Sequence, residues 1–186
     1  MEEKYENKGQ KSCALIERGF TDPELWYPYY RFLEEGADAY ITSIRKGVLR
    51  GEAGPHNHTM QGWEADVTHT VDEVLQMDFD ILFLVGGVYA PMFLRNDKSV
   101  QELVRKSVKA NKLTCAVCHA PQILISADVI RGRKISCPRD MAVDVVNAGG
   151  FYTEEPAVID GCLLTSESYN TLPEMFRLLM GSINKY

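Results

Sequence analysis

Cys118 is the residue of this chain best placed to do chemistry. It follows the apolar run from Leu113 to Val117 and precedes His119-Ala120-Pro121, where a helical pattern resumes. A side chain on a strand-to-helix turn projects above the sheet, as in nucleophile elbows. The start of the next helix offers free N–H groups and the positive end of its dipole, and both favour thiolate over thiol. Most free cysteines are small buried hydrophobes; position sets this one apart as a nucleophile. His119, directly beside it, can accept or deliver a proton, although a histidine at a helix start also has a plain solvent-facing role. Gly86-Gly87 ends a second apolar run, from Asp80 to Val85. The N–H of Gly87, together with that of His119, would form an oxyanion hole; alone, the glycine pair reads as an ordinary turn.

Glu24 has two readings. Thr21-x-x-Glu24 fits a capping box, in which the acid only closes a helix end. The other reading puts Glu24 at the sheet edge beside Cys118, where a dry environment would raise its pKa and let it donate or shuttle a proton. Gly86, Tyr89 and Pro121 are expected to line the same site. Cys115-x-x-Cys118 is also the spacing of a dithiol redox pair, but Cys115 falls inside the preceding strand and points to the core. His56 and His58 lack a nearby cluster of cysteines or carboxylates, so no metal is expected. No Gly-x-Gly-x-x-Gly fingerprint is present, and no cofactor is expected.

The elements that must carry these residues alternate. Ser12 to Ile16 reads as a strand. A helix begins at Thr21-Asp22-Pro23-Glu24, presents Leu25, Tyr29, Phe32 and Leu33 on one face, and stops at Gly36. Ala39 to Ile44 reads as a strand, residues 46–62 as a loop, and Trp63 to His69 as weakly strand-like. Asp80 to Val85 has the continuous apolar character of a strand buried on both faces. Asp97 to Asn111 is helical, Leu113 to Val117 a strand, and Ala120 to Val129 a helix. Residues 133–136, 139–147, 157–159, 162–166 and 172–183 read as strand, helix, strand, strand and helix, with Asp160-Gly161 as a hairpin turn. This order implies an α/β fold with a mostly parallel sheet and helices on both faces, and a site at the carboxyl ends of the strands.

Composition agrees with a globular chain: 45% hydrophobic and 25% charged residues are ordinary values. A formal net charge of -6 argues against nucleic acid as a partner. No apolar run is long enough to span a bilayer, and the polar start Met1-Glu2-Glu3-Lys4 has no signal-peptide core. Five cysteines, an odd number, make a disulfide framework improbable. The expectation is a cytoplasmic protein with a flexible tail over residues 1–10 and one domain over 11–186.

From about residue 11 to 183 the pattern resembles the ThiJ/PfpI superfamily of cysteine enzymes. Ala116-Val117-Cys118-His119-Ala120-Pro121 through Ala127 is similar to its nucleophile elbow and is the most specific segment. Gly19 to Leu25 with Tyr27-Pro28-Tyr29 resembles its acidic segment, and Leu84-Val85-Gly86-Gly87 its glycine turn. Arg131-Gly132-Arg133-Lys134, Asn147-Ala148-Gly149 and Val158-Ile159-Asp160-Gly161 also match. The Cys-His pair is similar to the PfpI branch. The resemblance implies a flavodoxin-like three-layer sandwich and a homodimer or higher homo-oligomer. It implies Cys118 as nucleophile, Glu24 as the acid beside it, and Gly87 with His119 at the oxyanion hole.

Three departures stand out. PfpI-type members carry Gly-Gly-Arg-Ala-Pro-Glu, whose glutamate orients the histidine across a subunit interface. Here Gly86-Gly87-Val88-Tyr89-Ala90-Pro91-Met92 has no carboxylate at that place. The second acid of the first motif is replaced by Thr21, and Ser166-Glu167-Ser168 departs from the usual Ser-Arg. Residues 53–60 look like an insertion that would line the site or an interface. The first expectation is an enzyme acting without cofactor on small reactive carbonyls, of glyoxalase or deglycase type. A PfpI-type peptidase or amidase acting on peptides, and a redox-responsive or chaperone-like protein, are the alternatives.

Overall fold

A computed structural model describes residues 9–52 and 61–183. The chain opens with β1 (Lys11–Leu15), α1 (Asp22–Glu34) and β2 (Asp38–Ser43). It continues through β3 (Gly47–Arg50), β4 (Glu64–Val67), β5 (His69–Thr70), α2 (Val71–Leu75) and β6 (Ile81–Leu84). Next come α3 (Ala90–Leu94), α4 (Lys98–Lys109), β7 (Leu113–Val117), α5 (Pro121–Ser126) and β8 (Lys134–Ser136). The last part holds α6 (Ala142–Asn147), β9 (Phe151–Thr153), β10 (Ala157–Asp160), β11 (Leu163–Ser166) and α7 (Leu172–Met180). The main sheet has seven strands in the order β10-β11-β7-β6-β1-β2-β5. Its pairs are parallel except for the β10–β11 hairpin.

The three layers follow from strand periodicity. Along β6 every residue is buried, and the side chains alternate between two cores. Leu82 and Leu84 join Val71, Val100, Leu103, Val104, Ile123 and Leu124 from α2, α4 and α5. Ile81 and Phe83 join Leu25, Phe32, Met175, Phe176 and Leu179 from α1 and α7. A strand covered by helices on both faces needs an unbroken apolar run, which is what 81–85 supplies. The strand order reverses between β1 and β6. The crevice outside their carboxyl ends is where open α/β sheets bind ligands.

Several local expectations are corrected. Residues 46–62 are not all loop: β3 pairs antiparallel with β4, from Gly47 opposite Val67 to Arg50 opposite Glu64. Leu33 lies on the exposed side of α1 rather than with Leu25 and Phe32. The helix expected over 120–129 is the shorter α5. The hairpin turn is Gly161-Cys162, because Asp160 already pairs with Leu163. α2, α3 and β9 carried too little periodicity to be read. No helix of the described residues is long and apolar enough to cross a membrane.

Candidate active site

Three strand ends converge on the switch-point crevice. β7 delivers Cys118, β6 delivers Gly86 and Gly87, and β1 leads into the turn before α1, which carries Thr21 and Glu24. Cys118 has φ = 57°, a left-handed conformation that a non-glycine residue adopts only at a cost of about 1–3 kcal/mol. The surroundings hold it there: its N–H donates to the Ser166 carbonyl at 3.0 Å, and the Ala120 N–H donates to the Val117 carbonyl at 3.0 Å. This is the geometry of a nucleophile elbow.

Glu24 is wholly buried. The capping-box reading is overturned, since Thr21 makes no side-chain cap to α1. Thr21 Oγ1 instead donates to Glu52 Oε1 at 3.0 Å, and the Glu24 carboxyl turns toward Cys118. A Cβ added at Gly86 would come 2.5 Å from Glu24 Oε2 and 2.9 Å from the Cys118 Cβ, so Gly86 lies against both. At Gly87, with φ = 104°, a Cβ would meet the Gly19 carbonyl oxygen at 2.5 Å. Burial raises the Glu24 pKa to about 8. Its neighbour Cys118 and the backbone of Gly86 and Tyr169 act the other way, and Glu52 adds to the rise. Glu24 is therefore a neutral acid near pH 7.

Cys118 corrects the expectation of a lowered pKa. Burial, and then the charge of Glu24, push its thiol well above the ordinary value. The N–H groups of Gly87 and His119 pull the other way and are outweighed. The following helix is only six residues long. Because a protonated Glu24 carries no charge, the second cause of the rise disappears in that form. The two groups are thus a buried pair in which one proton governs the other.

His119 is not unoriented. Its Nδ1 lies 3.3 Å from the Cys118 Sγ, and its Nε2 lies 3.2 Å from Asp140 Oδ2. Asp140 stands in a 3₁₀ turn (Arg139–Met141) between β8 and α6, so a carboxylate of the same chain contacts the imidazole on the side away from the sulfur. Sequence reasoning missed it. The only signal was an acid just past the apolar end of β8, after Pro138.

A cavity of about 440 Å³ opens over the pair, lined by Thr21, Glu24, Glu52, Gly87, Val88, Cys118, His119, Pro138, Asp140, Ser168 and Tyr169. Glu52 is buried and was not foreseen; its Oε1 also accepts the Val88 N–H at 3.1 Å. The acid missing at Thr21 is thus supplied by a side chain that reaches Thr21 from the end of the β3 segment. Of the other expected lining residues, Gly86 sits beneath the pair. Tyr89 packs its ring on Gly19, and Pro121 is buried in the first turn of α5; neither lines this cavity. In the divergent 166–168 segment, Ser166 anchors the elbow and Ser168 lines the cavity, while Glu167 lines a neighbouring hollow. Cys115 is fully buried in the core and cannot pair with Cys118 as a surface dithiol. The five cysteines are free thiols, and all but Cys118 are buried. His56, His58 and the 53–60 insertion lie outside the described residues. Among the described residues, no three His, Cys, Asp or Glu side chains converge as metal ligands would.

Comparison with known proteins places this arrangement. A family model described as DJ-1/PfpI matches residues 10–181. A Pyrococcus furiosus protein named Deglycase PfpI is 38% identical over 173 residues, covering 91% of this chain and 99% of its own. An Escherichia coli protein named Protein/nucleic acid deglycase 2 is 37% identical over 178 residues, covering 91% and 98%. Among solved structures, a two-domain protein of Anabaena variabilis with DJ-1/ThiJ/PfpI-like and ferritin-like domains superposes with a TM-score of 0.86 at 27% identity. That match covers 94% of this chain and 50% of the other.

Proposed function

From the premise that this chain belongs to the DJ-1/PfpI family, we propose that it is a cysteine-nucleophile enzyme acting on 2-oxoaldehydes and their adducts with amines, the deglycase-type reaction for which its relatives are named. The observation that carries this reading is the left-handed elbow at Cys118 with the fully buried Glu24 at its side.

Methylglyoxal is the simplest substrate of this class. His119, whose Nδ1 lies 3.3 Å from Sγ, takes the Cys118 proton as the sulfur adds to the aldehyde carbon, forming a C–S bond. The carbonyl oxygen takes the charge, facing the N–H groups of Gly87 and His119. Glu24 gives that oxygen its proton, which completes a hemithioacetal. The ionised Glu24 then takes the proton from the former aldehyde carbon and returns one to the neighbouring ketone carbon, by way of an enediol, while the hydroxyl proton passes from the first oxygen to the second. The aldehyde carbon is thereby oxidised to a thioester and the ketone carbon reduced to an alcohol, within one molecule. Water, losing its proton to the ionised Glu24, cleaves the thioester, and His119 returns its proton to the departing sulfur, which restores the starting forms. The sum is methylglyoxal plus water giving lactate, with no external oxidant or reductant. An amine adduct enters the same path: the sulfur, its proton taken by His119, displaces the amine from the carbinol carbon, and the amine leaves with the proton of Glu24.

The test is an adduct of methylglyoxal with Nα-acetyl-lysine. Equal amounts of free Nα-acetyl-lysine and lactate, formed faster than in buffer alone, are the expected result. Release no faster than spontaneous reversal, with no lactate, would overturn the reading.

Asp140 favours a second reading, hydrolysis of peptide amides, which needs an oriented histidine to protonate a leaving amine. Peptide-amide hydrolysis that disappears in Cys118→Ala and weakens in Asp140→Asn would support it. Intact peptides after prolonged incubation would rule it out.

A further inference from the structure

We infer that a cation-recognising subsite lies beside the Cys118 cavity, formed by Trp26, Trp63 and Asp22, and that it takes the ammonium or guanidinium group of a basic residue in a polypeptide substrate. It is a separate hollow of about 310 Å³, lined by Asp22, Pro23, Trp26, Gln61 and Trp63.

Two indoles form its walls. Trp63 is 64% exposed, a large amount of aromatic surface to leave in water. Its ring centroid lies 6.2 Å from that of Trp26, with the planes inclined at 50°, so the pair forms an open wedge. Tyr30 stacks on Trp26 at 5.9 Å and Tyr29 meets its edge at 5.9 Å, which fixes that wall. Indole faces attract cations more strongly than other aromatic rings do.

A carboxylate forms the floor. Asp22 is only 9% exposed. Its Oδ2 accepts the Trp63 N–H at 2.8 Å, while its Oδ1 is buried with no hydrogen-bond partner. Gly51 and Gly62 pack against that oxygen, and a Cβ at either would come within 2.1 or 2.6 Å of it. A buried carboxylate with a single N–H donor is short of compensating charge. The amino end of α1 alone would favour an anion, but Asp22 in its first turn offsets that and sets the sign. Burial first, and then the charge of Glu52, push the Asp22 pKa up against the Trp63 backbone N–H; a cation in the hollow favours the ionised form, which a neutral or anionic group does not.

Consecutive residues line the two cavities. Thr21 lines the Cys118 cavity and Asp22 the subsite; Glu52 lines the first, and its neighbour Gly51 backs the second. An extended peptide advances roughly 3.3 Å per residue. A basic side chain a short way along an extended chain from the modified one is the group proposed to fill the subsite. The polypeptide nature of the ligand rests on the deglycase reading; the binding of a cation does not.

Trp26 and Trp63 are the only tryptophans of the chain, so tryptophan emission, excited selectively over the tyrosines, reports on the subsite. The experiment is a fluorescence titration of the Cys118→Ala protein with Nα-acetyl-lysine amide and Nα-acetyl-arginine amide. Nα-acetyl-norleucine amide and Nα-acetyl-glutamate amide serve as neutral and anionic counterparts. Saturable changes with the two basic amides, with dissociation constants on the order of millimolar, are expected. Binding of the norleucine amide should be at least about tenfold weaker, and Asp22→Asn should weaken the basic amides by about tenfold. Should Asp22→Asn fail to fold, Trp63→Leu keeps the backbone N–H on Asp22, changes an exposed ring, and should show the same loss through Trp26. Equal binding of the norleucine amide, tighter binding of the glutamate amide, or unchanged affinity in the variants would overturn the inference. Methylglyoxal turnover by the wild type, measured separately, shows whether the catalytic reading fails on its own.

Discussion

His119 and Asp140 belong to the same chain and meet at 3.2 Å, Nε2 to Oδ2, while the opposite ring nitrogen of His119 lies 3.3 Å from Cys118 Sγ. A carboxylate on one imidazole nitrogen fixes the tautomer at the other, and so fixes whether His119 can exchange a proton with the sulfur or with water. Asp140 is 72% exposed, so its pull is screened and its effect should sit at the low end for a positioning acid. Asp140→Asn is expected to lower kcat by about tenfold with KM little changed. A kcat equal to wild type would show that the contact is incidental.

Glu24 gives a pH dependence with a definite sign. Its pKa is raised from 4.5 to about 8. Between these values the folded protein holds a proton that the unfolded chain has released. The resulting stabilisation is fully present below about pH 4.5 and is lost as pH rises through about 8. Glu24→Gln cannot ionise, so its melting temperature should gain on wild type as pH is raised from 5 to 9. Activity should fall above about pH 8 in the wild type as the donor form is lost. Melting curves of the two proteins that stay parallel across this range would contradict the assignment.

The two glycines after β6 are required by contact. Gly87→Ala places a Cβ 2.5 Å from the Gly19 carbonyl at φ = 104°, and Gly86→Ala places one 2.5 Å from both Glu24 Oε2 and the Val117 carbonyl. Either substitution should cost about 2 kcal/mol or more and greatly reduce turnover. Urea unfolding at wild-type midpoints would show that the strand ends can spread.

Accessibility distinguishes the cysteines. Cys118 is half-buried and the other four are buried. Iodoacetamide on the native protein should modify one cysteine per chain, found at Cys118 by peptide mapping. Cys115→Ala should keep its turnover, because Cys115 sits in the core beneath the elbow. Labelling at Cys115, or loss of turnover in that variant, would revive the dithiol reading.

The elbow was legible because its determinants are local: an unbroken apolar strand, a cysteine, and a proline-initiated helix within ten residues. The sheet was legible for the same reason, since strands buried on both faces need continuous apolar runs. Asp140 and Glu52 were not legible, because tertiary packing delivers them from segments with no pattern of their own. β3 has an almost wholly exposed face and is a strand only because β4 pairs with it. Thr21-x-x-Glu24 left two readings open because a capping box and an acid buried beside the cysteine share one spacing; what separates them is that Thr21 finds Glu52. The Cys118 thiol went the opposite way from its local dipole because burial and Glu24 act across the fold.

The most direct test of the central claim is lactate formation from methylglyoxal by purified wild-type and Cys118→Ala proteins, without added metal or glutathione. Lactate from the wild type and none above background from Cys118→Ala is the expected result. Comparable lactate from both proteins would contradict the assignment of Cys118 as the nucleophile, and with it the reading of the site.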